Sequence, residues 1–187
     1  FSFEADIIGS ESDSWAVSSV AWGDFNGDGW LDLAVGNLRE RNEIYVNNEG
    51  TLSQFWVSDD FELTTQVVWG DIDNDGDLDL IVGNYDAPNQ IYLNNAGNFE
   101  LADWSPNFYS THSLALGDLD GDGDLDLAVG NHSNSLNNGE DFIFLNDKGQ
   151  FPNRPSAQFG DPDSPTRSLA WGDMDLDGDL DLAVGLW

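Results

Sequence analysis

Apolar and polar residues alternate along short segments of this chain, and the same order of segments returns four times. Four stretches align without gaps: 22–37, 69–84, 116–131 and 171–186. In each stretch an acidic loop is followed by LDLAVG or LDLIVG, in which every second residue is apolar. This alternation, with Gly, Asn and Asp at the boundaries, predicts strands, and no 3.6-residue periodicity is long enough to predict a helix.

A second block follows three of the four stretches, at 42–48, 89–95 and 141–147, and a Gly and an apolar residue come after it. The stretch and the block together form one repeat, whose pattern predicts four strands. One lies before the acidic loop, one after it, one in the second block and one after the Gly. The loops are 47, 47 and 55 residues apart, and a blade of four antiparallel strands takes roughly 45–50 residues. We predict an all-β fold, a β-propeller-like array of four-stranded antiparallel blades.

The whole chain, residues 1–187, is predicted to form a single domain of four repeats. Residues 1–8 look like a fourth strand without a blade of its own. We expect this segment to complete the last blade or to pair with a neighbouring chain. Because the first residue is Phe1 and not Met, we expect the chain to be processed, trimmed or part of a longer protein.

The acidic loops share the pattern D-x-[DN]-x-D-G-x-x-D over nine positions, at 24–32, 71–79, 118–126 and 173–181. Eighteen of the 28 aspartates lie in these windows, and only eight acids are Glu. A need for solubility would not distinguish Asp from Glu or fix the spacing, whereas a cation site with oxygen ligands does both. Carboxylates this close repel one another unless a cation lies among them.

Calcium suits these loops because it accepts six to eight oxygen ligands in flexible geometry, whereas magnesium requires a tight octahedron. Position six is always Gly, which permits the sharp turn. Position seven is Trp30 in one loop and Asp in the others, so we predict a backbone carbonyl ligand there. The predicted ligands of about four Ca²⁺ ions are Asp24, Asn26, Asp28, Trp30 and Asp32; Asp71, Asp73, Asp75, Asp77 and Asp79; Asp118, Asp120, Asp122, Asp124 and Asp126; and Asp173, Asp175, Asp177, Asp179 and Asp181.

Three other interpretations of the loops are less consistent with the sequence. An EF-hand needs a Glu at position twelve and flanking helices, but position twelve is Val35, Val82, Val129 or Val184. RTX nonapeptides need a GGxGxD repeat, which the chain lacks. A hairpin turn that merely favours Asp and Gly does not explain four copies at one spacing.

Composition excludes several functions. The net charge of −31 would repel nucleic acid and anionic membranes. The chain contains no run of 18 apolar residues, so membrane insertion is not predicted. Without cysteine there are neither disulfides nor thiolate metal sites. His112 and His132 lie in different repeats, and no nucleophile motif or phosphate loop is present. We therefore predict no catalytic residues, no organic cofactor and no enzymatic activity.

The tryptophans fall into two groups. Trp22, Trp69 and Trp171 precede an acidic loop by two residues and are expected to pack between blades. Trp15, Trp56 and Trp104 lie in the variable segments and are candidates for a binding surface or a subunit contact. His132, in the longest loop, is a further candidate for contact with a ligand.

With these motifs the sequence resembles the FG-GAP/VCBS repeat family, whose calcium-loop blades also build integrin α-subunit propellers. The residues that carry the resemblance follow D-x-D-x-D-G-D-L-D-L-[AI]-V-G-N and recur over essentially the whole chain. The resemblance implies a β-propeller, usually of more than four blades, with calcium between strands one and two of each blade. It also implies extracellular or periplasmic placement and a role in adhesion or in binding carbohydrate or protein.

From this we predict an extracellular, secreted or cell-surface, calcium-stabilised structural or adhesive binding module that self-assembles. Open strand edges pair with neighbours, so a homo-oligomer or filament is the predicted partner state, with a glycan or a protein as further ligand. Two alternatives stay open: a lectin-like carbohydrate-binding propeller, and an accessory domain of a larger secreted enzyme.

Overall fold

The computed structural model describes residues 16–104, 110–132, 139–161 and 163–186. Within these ranges all regular elements are strands, and none of the described residues forms a helix that could cross a membrane. The segment 1–8, predicted to complete a blade, lies outside the described residues, as does Trp15. The prediction of an all-β chain is confirmed for the part described.

The described residues form fourteen strands, whose order matches the four repeats, and we call the repeats blades 1 to 4. Blade 1 contains β1 (Val17–Gly23), β2 (Asp32–Asn37), β3 (Glu43–Asn48) and β4 (Thr51–Val57). Blade 2 contains β5 (Thr64–Gly70), β6 (Asp79–Asn84), β7 (Gln90–Asn95) and β8 (Asn98–Leu101). Blade 3 contains β9 (Thr111–Gly117), β10 (Asp126–Asn131), β11 (Asp141–Phe144) and β12 (Ala157–Phe159). The described part of blade 4 contains β13 (Thr166–Gly172) and β14 (Asp181–Leu186).

Each of blades 1 to 3 is a sheet in which every strand pairs antiparallel with the next strand in the chain. The register of the first two strands repeats in all blades: Trp22 lies opposite Leu33, and Trp171 lies opposite Leu182. This register follows from the loop, because eight residues separate the end of strand one from the start of strand two in every blade. Four-stranded antiparallel sheets are thus confirmed for three repeats.

The third repeat departs from the predicted position of strand four. The sequence predicts this strand directly after Gly149, but β12 begins at Ala157. Pro152 and Pro155 lie in the intervening segment, and proline has no N–H to donate to a neighbouring strand. Pairing with β11 therefore resumes only beyond the second proline.

The hydrophobic cores lie between consecutive blades. One core joins blades 1 and 2 and contains Phe25, Ile44, Leu80 and Phe99. A second core joins blades 2 and 3 around Ile81, Trp104, Leu127 and Phe144. Since neighbouring residues on a strand point to opposite faces, Leu80 and Ile81 contribute to different cores. Every residue of β6 and β10 is consequently buried.

A polar contact joins blades 2 and 3 at the strand ends away from the acidic loops. The Thr111 hydroxyl donates to Asn131 Oδ1 at 3.0 Å within blade 3. It accepts a hydrogen bond from Asn89 Nδ2 of blade 2 at 2.9 Å. All three residues are buried, so the contact satisfies polar groups that water does not reach.

At the junction between blades 3 and 4, the Asp141 carboxylate takes the place that the Asn89 amide has between blades 2 and 3. In β14 the apolar Leu186 lies opposite Thr166. In blade 3 the corresponding residue, Asn131, accepts the hydrogen bond of the Thr111 hydroxyl. The Thr166 hydroxyl instead donates to Asp141 Oδ2 of blade 3 at 2.6 Å, while Asp141 Oδ1 accepts the Asn131 N–H at 2.7 Å. Burial raises the pKa of Asp141, partly offset by these two hydrogen bonds.

We expect Asp141→Asn to change how stability depends on pH. Because the folded-state pKa of Asp141 lies above its unfolded value, this carboxyl favours folding below the unfolded pKa, and that contribution is lost as pH rises through the folded pKa. The free energy of unfolding of Asp141→Asn minus that of the wild type should therefore increase with pH from about 4 to 7. Urea unfolding of both proteins at each pH measures it, and a constant difference would contradict the burial effect.

Candidate metal sites

Each acidic loop connects strand one to strand two of a blade and turns through residues with left-handed backbone conformations. The glycine at position six has φ of 89° in Gly29, 98° in Gly76, 95° in Gly123 and 98° in Gly178. A side chain is strained at such angles, which explains the glycine in all four loops. The prediction that position six makes the sharp turn is confirmed.

Backbone N–H groups inside each loop orient the acidic side chains. In the second loop Asp71 accepts the N–H groups of Asp75 and Gly76 through its two oxygens, each at 3.1 Å. Asp75 Oδ1 in turn accepts the Asp77 N–H at 2.9 Å. Asp24, Asp118 and Asp173 make the corresponding bonds to the glycine at position six. The carboxylates are therefore held in place by the loop itself.

The aspartate at position nine links the loop to strand three of its blade. Asp79 Oδ2 accepts the Ile72 N–H at 2.7 Å, and its Oδ1 accepts the Asn94 N–H at 2.8 Å. Asp32 and Asp126 make the same pair of bonds in blades 1 and 3. All three carboxylates are 0% exposed. Asp181 Oδ2 accepts the Met174 N–H within its own loop, but Asp181 is exposed.

Three loops bring three carboxylates together, with one oxygen from each lying within 4.8 Å of the others. The groups are Asp71, Asp73 and Asp79; Asp118, Asp120 and Asp122; and Asp173, Asp175 and Asp181. The predicted ligands Asp75, Asp126 and Asp177 lie in the same loops but outside these groups. Loop 1 has the amide Asn26 at position three, and its acids Asp24, Asp28 and Asp32 form no such group among the described residues.

The side chains at position seven do not point to a shared role in metal binding. Asp77 Oδ2 accepts the Ala96 N–H at 2.9 Å. Asp124 accepts the Lys148 N–H at 2.9 Å and the Asn74 side-chain amide at 2.6 Å. Trp30 is 46% exposed. The backbone carbonyl ligand at this position stays a prediction.

The electrostatics of the second loop are set first by burial and then by neighbouring charge. The pKa of Asp79 is raised to about 6, chiefly by burial and in small part by the Asp73 and Asp75 carboxylates, against two backbone hydrogen bonds that lower it. Burial also raises the pKa of Asp73. In the absence of a cation, the Asp73 and Asp79 carboxyl groups therefore resist ionisation.

The donor chemistry fits calcium. The candidate ligands are carboxylate, amide and carbonyl oxygens, which are the ligands that calcium prefers. None of the four nine-residue windows contains Lys or Arg, and the chain has only five basic residues against 36 acids. No basic side chain in the loops balances the carboxylates, and a bound divalent cation would supply that positive charge.

A family model described as FG-GAP-like repeat matches residues 24–82, 71–129 and 133–184. The chain belongs to this family. The first two matches each run from one acidic loop through strand two of the next blade, so an FG-GAP-like repeat here spans a junction between blades. No match was found among curated proteins.

The FG-GAP-like repeats of this chain contain a structural residue that our sequence analysis missed. Asn94 in strand three donates from Nδ2 to Phe25 O of the preceding blade at 2.9 Å and to Leu78 O of its own loop at 3.1 Å. Its Oδ1 accepts the Gly97 N–H at 2.8 Å. Asn47 and Asn146 lie at the same place in their blocks. The recurrence of Asn in NEIYVNN, NQIYLNN and DFIFLND was the available signal.

One of the surface tryptophan candidates is buried and another is partly buried. Trp104 is 7% exposed, packs against Phe144 at a ring distance of 5.3 Å and donates from its indole nitrogen to Pro152 O. Trp56 is partly buried and packs on Tyr92 at 4.9 Å, against the core between blades 1 and 2. The predicted surface role is therefore wrong for Trp104, and for Trp56 it stays a prediction.

The tryptophans before the acidic loops and the histidines are placed as follows. Trp69 packs in the core between blades 1 and 2, as expected, whereas Trp22 is 55% exposed. The rings of His112 and His132 lie 5.4 Å apart, and Tyr85 lies 5.8 Å from His112. Both histidines belong to blade 3, one in β9 and one directly after β10, so the expectation that they lie in different repeats is wrong. They pack in one aromatic cluster with Tyr85.

Proposed function

We propose that this chain is a calcium-stabilised structural binding module, built as a single β-propeller-like domain, which acts outside the cell and has no catalytic activity. The observation that carries the proposal is the convergence of three carboxylate oxygens within 4.8 Å of one another in three successive loops. Calcium in these loops would supply positive charge among the carboxylates and tie strand one to strand two.

The proposed sites are structural because their ligands also hold the blade together. Asp79 joins its own loop to strand three, and Asn94 joins that strand to the loop of the preceding blade. An ion bound by Asp79 would therefore stabilise a junction and not just one turn. The proposed ligands at 24–32, 71–79, 118–126 and 173–181 are those predicted from the sequence.

An extracellular location is supported by the calcium chemistry. Extracellular modules bind calcium with Kd values of about 10⁻⁴–10⁻³ M, which suits the millimolar calcium found outside cells. The family and the loop pattern support a binding role for the surfaces that the blades present. The lectin alternative has lost one of the aromatic residues that motivated it, since Trp104 is buried in the core between blades 2 and 3. An accessory role in a larger secreted enzyme is compatible with the same sites.

Calcium titration of chelator-treated protein by calorimetry tests this proposal. We expect about four ions per chain, with magnesium a weak competitor because it dehydrates reluctantly. Asp173→Asn should remove one ion, since it neutralises a ligand of the exposed fourth loop. Asp163→Asn, which changes an exposed acid outside the loops, is the matched control. No binding at millimolar calcium, or an equal loss in the control, would refute the proposed sites.

A further inference from the structure

The acidic loops of blades 2 and 3, which we call loop 2 (71–79) and loop 3 (118–126), contact each other directly. Asn74 Nδ2 of loop 2 donates to Asp124 Oδ1 of loop 3 at 2.6 Å. Asp124 is 5% exposed, so this charge-assisted hydrogen bond forms where little water competes for either group. The bond connects two proposed calcium sites, because Asn74 lies directly after the proposed ligand Asp73.

The residue at position four of a loop decides where such a bond can form. It is Asn74 in loop 2, but Gly27, Gly121 and Leu176 in the other loops, and none of these three has a side-chain donor. All four residues have a left-handed φ, between 60° and 76°. Asparagine tolerates this conformation better than most residues other than glycine. It therefore supplies an amide at a turn where most other side chains would be strained.

The second oxygen of Asp124 holds the turn that follows strand three of blade 3. Asp124 Oδ2 accepts the Lys148 N–H at 2.9 Å. The next residue of that turn, Gly149, lies against loop 2, since a Cβ on Gly149 would lie 2.7 Å from Asp73 Cβ and 3.3 Å from Asp73 Cα. Asp73 is one of the three carboxylates that converge in loop 2. The turn of blade 3 is thus packed directly on a proposed ligand of blade 2.

A buried asparagine in strand three also bonds to both loops. Asn146 Nδ2 donates to Ile72 O of loop 2 at 2.7 Å, and Asn146 N–H donates to Asp126 Oδ1 of loop 3 at 2.9 Å. Asn94 makes the equivalent pair of bonds between blades 1 and 2, so this link is common to both junctions. The hydrogen bond from one loop to the next distinguishes the junction between blades 2 and 3 from that between blades 1 and 2.

We infer that Asn74 couples the proposed calcium sites of loops 2 and 3, so that an ion in either loop raises the affinity of the other loop. The inference rests on the proposed calcium-stabilised module and assigns a regulation to two of its sites. The predicted ligand of loop 3 at position seven is the backbone carbonyl of Asp124, and the side chain of the same residue is the acceptor of Asn74. An ordered loop 2 therefore holds in place a residue with which loop 3 binds its own ion.

The coupling arises because each loop must be ordered before it binds an ion. An ion held by Asp71, Asp73 and Asp79 restricts the backbone next to Asn74, and Asn74 then restricts Asp124. The second ion meets a loop that has already lost part of its conformational freedom, so it binds more tightly. Thermodynamic linkage makes the effect reciprocal: an ion in loop 3 raises the affinity of loop 2 by the same factor.

Two opposing effects determine the size of the coupling. Couplings between sites are typically about 5-fold to 150-fold, and a single hydrogen bond places this one near the lower end, at about fivefold. Repulsion between two bound cations acts against it. This repulsion weakens with salt, because exposed charges are screened beyond about 8 Å at physiological ionic strength. The coupling should therefore be larger at physiological ionic strength than at low salt.

Calorimetric titration of the full chain with calcium at physiological ionic strength tests the inference through a double-mutant cycle. Asp71→Asn removes the site of loop 2 and Asp118→Asn that of loop 3, and each variant keeps an oxygen that can accept a loop N–H. We expect each single variant to lose its own site and to weaken the other about fivefold. The overall binding constant of the double variant should then exceed, by about fivefold, the value expected from independent losses.

Asn74→Gly removes the amide and gives loop 2 the residue that loops 1 and 3 have at position four, so this variant should fold and bind about four ions. In its background the two losses should be independent. Asn74→Asp also tolerates the turn but presents an acceptor to Asp124, and it should give the same independence. Leu176→Gly is the matched control, because it makes the same change at φ of 62° in the fourth loop. It keeps the bond from Asn74 to Asp124 and should preserve the excess of about fivefold.

Independent losses in the wild-type background overturn the inference, and so does an excess that survives Asn74→Gly. The number of bound ions separates these results from a failure of the proposed function. A wild type that binds about four ions with independent losses keeps the calcium-stabilised module and removes only the coupling. A wild type that binds no calcium removes both proposals.

Discussion

Chelation of calcium should lower the melting temperature of this chain by about 20 °C. If each loop binds with a Kd of about 0.1 mM, calcium at about 2 mM contributes roughly 1.8 kcal/mol per site by mass action. Four sites contribute about 7 kcal/mol, comparable to the whole stability of many domains. For a chain of this size, each kcal/mol moves the melting temperature by about 2–4 °C.

The measurement is a thermal melt followed by circular dichroism, in calcium and in EDTA at matched ionic strength. Magnesium in place of calcium should restore only a small part of the shift. Calcium added back after chelation should restore the original curve, which distinguishes ligand loss from irreversible damage. An unchanged melting curve in EDTA would contradict structural calcium sites in these loops.

Asp79→Ala should destabilise the chain by about 5 kcal/mol in calcium, and Asp181→Ala by only about 2 kcal/mol. Both variants lose a proposed ligand, which costs about 1.8 kcal/mol. Asp79→Ala also leaves the Ile72 and Asn94 N–H groups without their carboxylate acceptor. Each buried unsatisfied group costs about 1–3 kcal/mol. Asp181 is exposed, so water can replace its one backbone partner.

Urea unfolding of both variants in calcium gives the two free energies of unfolding. The pair is matched, because the two aspartates stand at position nine of loops with nearly the same sequence. Their difference therefore measures the link to strand three and its burial, and not the identity of the ligand. Equal destabilisation of the two variants would show that the link contributes nothing beyond calcium.

Much of the fold could be predicted from the sequence because each strand is specified locally. The apolar residues of LDLIVG define β6, and the left-handed glycine at Gly76 defines the turn before it. The same local signals recur in every repeat, so errors in one repeat are corrected by the others. The exception is β12, where two prolines displace the strand and no second repeat has an equivalent segment.

The candidate ligands could be predicted for a similar reason, since a nine-residue loop places its own oxygens. The roles of Trp56 and Trp104 could not, because neither lies in the repeated pattern. Their burial depends on the tyrosine and phenylalanine side chains that another part of the chain brings to the same junction. The part played by Asn94 likewise depends on a backbone carbonyl 69 residues away.

The sequence alone determined the four-strand repeat, the left-handed turns and the oxygen-rich loops, because these depend on residues close together in the chain. The tertiary structure decided which of the four aspartates at position nine are buried. Asp79 is 0% exposed and Asp181 is exposed, although LDLIVG and LDLAVG surround them. The difference arises because blade 3 covers β6 on one face and blade 1 covers the other, whereas none of the described residues covers the outer face of β14. The burial of a strand depends on the blades packed beside it, so the local sequence of that strand does not determine it.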